Sequence, residues 1–316
     1  MKSSVAIILP AYNEELTIVD TLLDFHRELP GAMLIVVNNA STDTTASVAR
    51  DAINKYSVRG VVIDESRAGK ANAVRIGLKT FDADIYVMVD ADLTYPAKHV
   101  HELIKPIEEN LADMAVGDRL SHGRYREENK RQFHNFGNQV VCTLVNRLFQ
   151  ANLKDIMSGY RALSRRFAQN YPILVEGFQL ETDMTLHALD KRFRIVEIPV
   201  EYRDRPAGSS SKLHTFRDGA RVLTTILDIF RHYRPLLFFG TIALLLFVSA
   251  LMFSIPVIND WIEHRYIYHV PLAILSSALV MLSTLAMSVG LILDSIAYQH
   301  RMDYEQNINT QLNEKP

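Results

Sequence analysis

Residues 85–92 read Ile85-Tyr86-Val87-Met88-Val89-Asp90-Ala91-Asp92. Unbroken apolar residues run straight into two carboxylates. A short continuous apolar run ending in a polar cluster reads as a central strand, buried on both faces, of a parallel sheet. In open parallel sheets ligands bind outside the carboxyl ends of the strands, where Asp90 and Asp92 fall. Two carboxylates this close repel unless a cation neutralises them. A hard divalent cation, completed by substrate phosphate oxygens, suits such a pair. A solvated Asp-rich turn would use the same residues, and the strand-end location brings the binding reading level with it.

The flanking sequence repeats the pattern. Strand candidates are Val5–Leu9, Met33–Val37, Val58–Ile63, Ile85–Val89 and Asp113–Gly117. Helix candidates lie between them: one carrying Leu16, Val19, Leu22 and Leu23 with Asn13 as its cap, then Thr42–Tyr56, Gly69–Phe81 and Pro96–Asn110. This alternation predicts an α/β fold with a mainly parallel, doubly wound sheet. The first strand ends in Pro10-Ala11-Tyr12-Asn13-Glu14 and the second in Asn38-Asn39-Ala40-Ser41-Thr42-Asp43. Polar groups at two neighbouring strand ends can read a base and a ribose; the second stretch also reads as a plain Asx turn leading into a helix. No G-x-G-x-x-G follows the first strand and no G-x-x-x-x-G-K-[ST] occurs, which argues against dinucleotide oxidoreductases and P-loop NTPases.

Composition narrows the classes further. The chain has 316 residues, with 34 Lys and Arg against 36 Asp and Glu. That balance argues against a dedicated nucleic-acid binder. Cys142 is the single cysteine, so neither an intramolecular disulfide nor a cysteine-rich zinc site is available. The average conceals an asymmetry: Leu236–Ile258 and Val270–Leu293 are 23 and 24 residues without a charge, each longer than the roughly 20 needed to span a bilayer. Arg217, Arg221, Arg231 and Arg234 precede the first span, Asp294 and Arg301 follow the second, and the connection Asn259–His269 carries Asp260, Glu263 and Arg265. The positive-inside rule then predicts cytoplasmic termini and an external hairpin, in a cell (inner) membrane. Val5–Leu9 is too short for the apolar core of a signal peptide. Residues 213–234, with Phe216, Leu223, Ile226, Leu227 and Phe230 beside the arginines, predict an amphipathic helix at the membrane surface. Residues 129–150 predict a further helix, interfacial or packed in the core.

Taken together, the motifs resemble family 2 glycosyltransferases of the GT-A fold. The resemblance rests on Pro10 to Glu14, the Asn39–Asp43 turn, Gly69-Lys70-Ala71-Asn72-Ala73 and Asp90-Ala91-Asp92. Downstream, Val116–Arg119, Asp155-Ile156-Met157-Ser158-Gly159-Tyr160-Arg161, Glu197–Val200, Arg205 and Gly208–Lys212 are similar to the polyisoprenyl-phosphate branch, which includes dolichyl-phosphate mannose synthases. The resemblance implies a Rossmann-like catalytic domain over 1–212, a juxtamembrane helix over 213–234, a membrane hairpin over 235–298 and a cytoplasmic tail. It implies that Pro10, Tyr12 and Glu14 line the nucleoside pocket with Asn38 and Asn39 at the base, and that Lys70 lies near the nucleotide. Asp90 and Asp92 would hold Mg or Mn on the diphosphate, with Ala91 and Thr94 nearby. Arg119, Arg205 and Lys212 would meet phosphates.

Three positions depart from the pattern. Asn38 stands where the family often has Asp, which leaves uracil and guanine both open. An extra residue separates Arg205 from Lys212. Thr94 stands where some relatives have Gln. The implied reaction is inverting transfer of a sugar from a nucleotide-sugar donor to a polyisoprenyl phosphate at the lipid bilayer; related enzymes also associate as homo-oligomers. Glu181 and Asp183 lie where relatives place a base, or pair within a helix, and Ser158 and Arg161 fall on the acceptor side. A tethered transferase acting on a sugar hydroxyl is the main alternative, and would need Glu181 or Asp183 as base.

Overall fold

The computed structural model describes residues 3–121, 132–175, 180–205 and 227–313. The chain divides into two compact units, Met1–Val222 and Leu223–Pro316. Among the described residues the first unit is built on seven strands, β1 Val5–Ala11, β2 Met33–Asn39, β3 Gly60–Glu65, β4 Ile85–Met88, β5 Met114–Asp118, β6 Arg161–Ser164 and β7 Ile195–Pro199. They form one sheet in the order β3-β2-β1-β4-β6-β5-β7. Pairing is parallel from β3 through β4 and between β5 and β7, whereas β6 runs antiparallel between β4 and β5. The fold class read from the sequence is therefore present, with β6 and β7 as strands that the apolar-run criterion passed over.

The helices are α1 Ile18–Glu28, α2 Thr45–Lys55, α3 Lys70–Thr80, α4 Val100–Glu108, α5 Gln132–Phe149, α6 Arg165–Asn170 and α7 Leu180–Asp190. The helices α1 and α4 are amphipathic for a reason visible in their spacing. In α1, Ile18, Leu22 and Phe25 fall on one stripe and are buried; in α4, Val100, Leu103, Ile104 and Ile107 do the same. They close over Ile7, Leu9, Leu34, Val36 and Val87 of the sheet to make the main core. Burying each such side chain contributes about 1.5–3 kcal/mol. The expected Asn13 cap is displaced. Asn13 takes a left-handed φ of 54°, and its side chain bonds to Thr42 across the strand ends, while Thr17 precedes α1.

The strand order places the ligand crevice. The chain steps outward from β1 to β2 and β3, then returns to the other side of β1 for β4. This reversal at β1 and β4 is the topological switch point at which open α/β sheets bind ligands. The Pro10–Glu14 segment leaves β1 there, and Asp90 and Asp92 follow β4.

The second unit holds α8, Pro235–His264, and α9, Val270–Asn313. Both are long and apolar enough to cross a membrane, and only 11% and 6% of their apolar windows are buried, unlike core helices of a soluble protein. Their mutual contact uses small residues: Ala243 and Ala250 are buried, and Ser283 Oγ donates to the Ala243 carbonyl at 2.8 Å. Small residues let two membrane helices approach closely. The helices run past the expected spans, and residues 299–313, expected as part of a tail, continue α9.

Candidate functional site

The two carboxylates after β4 have different partners. Asp90 pairs with the Lys70 ammonium. Asp92 pairs with Arg205, 2.6 Å from Nη2 to Oδ2, and the same guanidinium lies 3.6 Å from Glu14. Asp92 is oriented from its other oxygen, which accepts from Thr94 N at 3.1 Å and Thr94 Oγ1 at 2.6 Å. Thr94 therefore serves Asp92 directly. Burial and the charge of Asp90 push the Asp92 carboxyl up, against the opposing pull of Arg205 and Thr94. The Ala91 carbonyl is held by Thr17 and Thr21 of the α1 region, so α1 anchors the turn between the two acids.

Lys70 is the first residue of α3 and arrives by way of a turn that needs glycine, since Gly69 has φ 120°. Asn39 fixes that turn: its Oδ1 accepts from Gly69 N at 2.7 Å, and its Nδ2 donates to the Arg67 carbonyl at 2.7 Å. Asn39 is thus committed to the approach of α3, a different place from the base contact expected of it. Asn38 donates through Nδ2 to Asp64 at 2.8 Å, which leaves its Oδ1 buried with no hydrogen-bond partner among the described residues. Burial on its own would lower the Lys70 ammonium, but Asp90 and Glu181 outweigh it and hold it above the ordinary lysine range. Tyr12 presents an exposed ring beside Pro10 at the end of β1.

A third cation, Arg119, connects to this region through aromatic packing. Arg119 forms a bidentate pair with the fully buried Asp155, 2.7 and 2.8 Å, and stacks on Tyr202 at 5.5 Å. Tyr202 packs edge-on against Tyr95, whose hydroxyl accepts from Gly159 N at 3.1 Å. Residues 206–226, which include Lys212 with its loop and 213–226 of the amphipathic helix expected over 213–234, lie outside the described residues.

The acceptor-side expectations resolve into packing. Ser158 and Arg161 are fully buried; Arg161 is bonded to protein carbonyls and to Thr185, which leaves no surface for an acceptor. Asp183 accepts from the Tyr171 hydroxyl at 2.7 Å, and burial raises it above the ordinary carboxyl range. Glu181 reaches Lys70 instead, at 2.6 Å. Asp155, Gly159, Tyr95 and Tyr202 were not singled out from the sequence as site residues; the run Asp155–Arg161 was the available signal.

No cluster of three or more His, Cys, Asp and Glu residues suited to a metal occurs among the described residues. The available donors are the paired acids, with Glu14 alongside. Such an open set fits a hard divalent cation that takes its remaining ligands from substrate and water. The guanidinium already seated on Asp92 marks where positive charge is accepted.

A mainly parallel sheet thus gathers acids and cations at its switch point, where open α/β sheets bind ligands. Residues 6–171 match glycosyl transferase family 2, and the chain belongs to that family. It is 28% identical over 299 residues to the glycosyltransferase AglJ of Haloferax volcanii, covering 94% of this chain and 95% of that one. It is 27% identical to the dolichyl-phosphate hexose transferase of the same organism, over 71% of this chain and 92% of that one. Glucosyl-3-phosphoglycerate synthase of Mycobacterium tuberculosis, solved with Mn2+ and UDP-glucose, shares the fold with a TM-score of 0.55 at 22% identity, covering 72% of this chain and 78% of that one.

Proposed function

We propose that this glycosyltransferase moves a sugar from a UDP- or GDP-sugar to a polyisoprenyl phosphate at the cytoplasmic membrane face, with inversion at the anomeric carbon. The observation that carries the reading is the union in one chain of the Asp90 and Asp92 pair, with Lys70 and Arg205 as cationic partners, and two helices of membrane length. The relative named as a dolichyl-phosphate hexose transferase supports the acceptor class.

Asp90 and Asp92 would hold Mg2+ or Mn2+, which supplies charge stabilisation for the departing nucleoside diphosphate. The chain's own residues do the rest. Pro10, Tyr12 and Glu14 border the nucleoside, and Asn38 presents an unsatisfied oxygen at the end of β2. Lys70 gives a compact charge for a phosphate and Arg205 a guanidinium able to meet one bidentately; Lys212 is the further cation that the family resemblance assigns to phosphate. The acceptor phosphate has a second pKa of about 6 and attacks already ionised. The site therefore needs little help from a base, and positioning and charge stabilisation carry the rate.

The test uses detergent-solubilised protein with Mg2+ or Mn2+, undecaprenyl phosphate and radiolabelled UDP- and GDP-sugars. Label should enter the organic phase from one donor, and Asp92→Ala should reduce this by about 100-fold or more. Donor hydrolysis without transfer would overturn the lipid-phosphate reading in favour of a hydroxyl acceptor.

A further inference from the structure

Glu181 reaches the paired acids from a different part of the fold. It lies in the first turn of α7, yet its Oε1 stands 2.6 Å from Lys70 Nζ, the ammonium that also pairs with Asp90. The Glu181 side chain is only 9% exposed. The space around the trio is filled: a Cβ at Gly159 would lie 2.6 Å from Asp90 Oδ2 and 3.0 Å from Lys70 Nζ.

The helix carrying Glu181 is itself pinned. Arg161 donates to the Ser158 carbonyl at 2.9 Å, the Ile156 carbonyl at 2.6 Å and Thr185 Oγ1 at 2.8 Å. Thr185 Oγ1 in turn donates to the Glu181 carbonyl at 2.9 Å. A fully buried guanidinium, bonded to neutral acceptors, thus ties the loop of Gly159 to the helix of Glu181. Burying a charge in this way is costly, and its result is a fixed distance between two elements that both touch Lys70 or Asp90.

We propose that Glu181 is a positioning residue that acts through Lys70: it holds the ammonium on Asp90 and so sets the affinity of the site for the donor's diphosphate. The proposal rests on the donor site described above. Lysine is a flexible stem with three rotatable donors, and a single carboxylate would not fix its direction. Two carboxylates from β4 and α7, closed in by Gly159, do. The Glu181 carboxylate oxygen nearest the site is engaged by Lys70, an arrangement that serves placement of a cation rather than proton removal from an acceptor.

The experiment compares full-length, detergent-solubilised wild type with Glu181→Ala, Glu181→Gln, Lys70→Met and the Lys70→Met/Glu181→Ala and Lys70→Met/Glu181→Gln doubles. Titration calorimetry with UDP and with GDP in Mn2+ gives affinity, steady-state transfer gives KM and kcat, and melting temperature monitors folding. Glu181→Ala should weaken nucleoside diphosphate affinity and raise donor KM about tenfold, the loss of one charge-assisted hydrogen bond, with kcat within about threefold. Glu181→Gln keeps an oxygen acceptor for Lys70 and should recover most of the affinity. In the Lys70→Met background neither change at 181 should weaken binding further. Should Glu181→Ala fail to fold, the Gln single and double carry the same comparison. Unchanged affinity with a large loss of kcat in both Ala and Gln variants would overturn the proposal in favour of a base. Additive losses in the doubles would overturn it too. A wild type that binds neither UDP nor GDP would instead overturn the donor-site reading, and this one with it.

Discussion

Gly159 illustrates how little room the acids have. Any side chain there meets Asp90 and Lys70 inside contact distance, and overpacking of this kind typically costs about 1–3 kcal/mol. Gly159→Ala should therefore lower nucleoside diphosphate affinity by about tenfold or more while the melting temperature falls by only a few degrees. Titration calorimetry alongside thermal unfolding separates the two effects. At the far end of β3, Glu65 accepts from Arg67 Nε, Nη2 and backbone N, and the Arg67 contacts pull its carboxyl down to about 2 from an ordinary 4.5. A group depressed on folding adds stability that is complete above its unfolded pKa and lost as pH falls through the folded one. The melting temperature of Glu65→Gln should thus lie below wild type at pH 7, and the gap should narrow steadily below pH 4.5 toward pH 2. A gap independent of pH would show that the ion pair contributes nothing to folding.

At the scale of elements, the entry into α3 governs the site because its first residue is Lys70. Asn39→Ala would strip the Gly69 amide and Arg67 carbonyl of their shared partner. Losing such part-buried hydrogen bonds costs about 0.5–1.5 kcal/mol each, so a drop in melting temperature together with weaker donor binding is expected; normal binding would show that the turn holds Lys70 unaided. This dependence was not legible in the sequence, where Asn39 looks like a base reader, because the turn it fastens lies 30 residues away. The strands β1, β2 and β4 were legible because each carries a continuous apolar run, and β3 and β5 through the shorter runs Val61–Ile63 and Met114–Val116. β6 was not: its four residues begin with Arg161, a charged residue whose burial depends on acceptors brought by other elements. Its antiparallel direction has a functional effect, since the residues before it, Asp155–Gly159, arrive at the strand ends where ligands bind. The reading that chemistry follows strands found Asp90 and Asp92 and passed over Gly159 for that reason. Glu181 was legible as an acid near the reaction; its contact with Lys70 across 111 residues was not.

At the scale of the whole molecule, the hairpin orientation is open to direct labelling. Burial pushes the Cys142 thiol up to about 11 from 9.0, which leaves roughly 100-fold less thiolate at neutral pH than a free cysteine. The wild type should therefore be almost silent to maleimide until denatured. Tyr266 in the α8–α9 connection is exposed, and Tyr266→Cys should react with a membrane-impermeant maleimide in intact cells; labelling only after permeabilisation would place the hairpin inside. The second helix then has a mechanical side. α9 is 44 residues without interruption, about 66 Å at 1.5 Å per residue, against a hydrocarbon core of about 30 Å. It passes Asp294 and Arg301 with no break at which the inner and outer halves could bend apart. With the bilayer crossed as proposed, such a rod behaves as a piston. A change in lipid thickness that tilts or slides its buried half must carry the emergent half with it, so membrane composition becomes a mechanical input felt some tens of ångströms beyond the lipid.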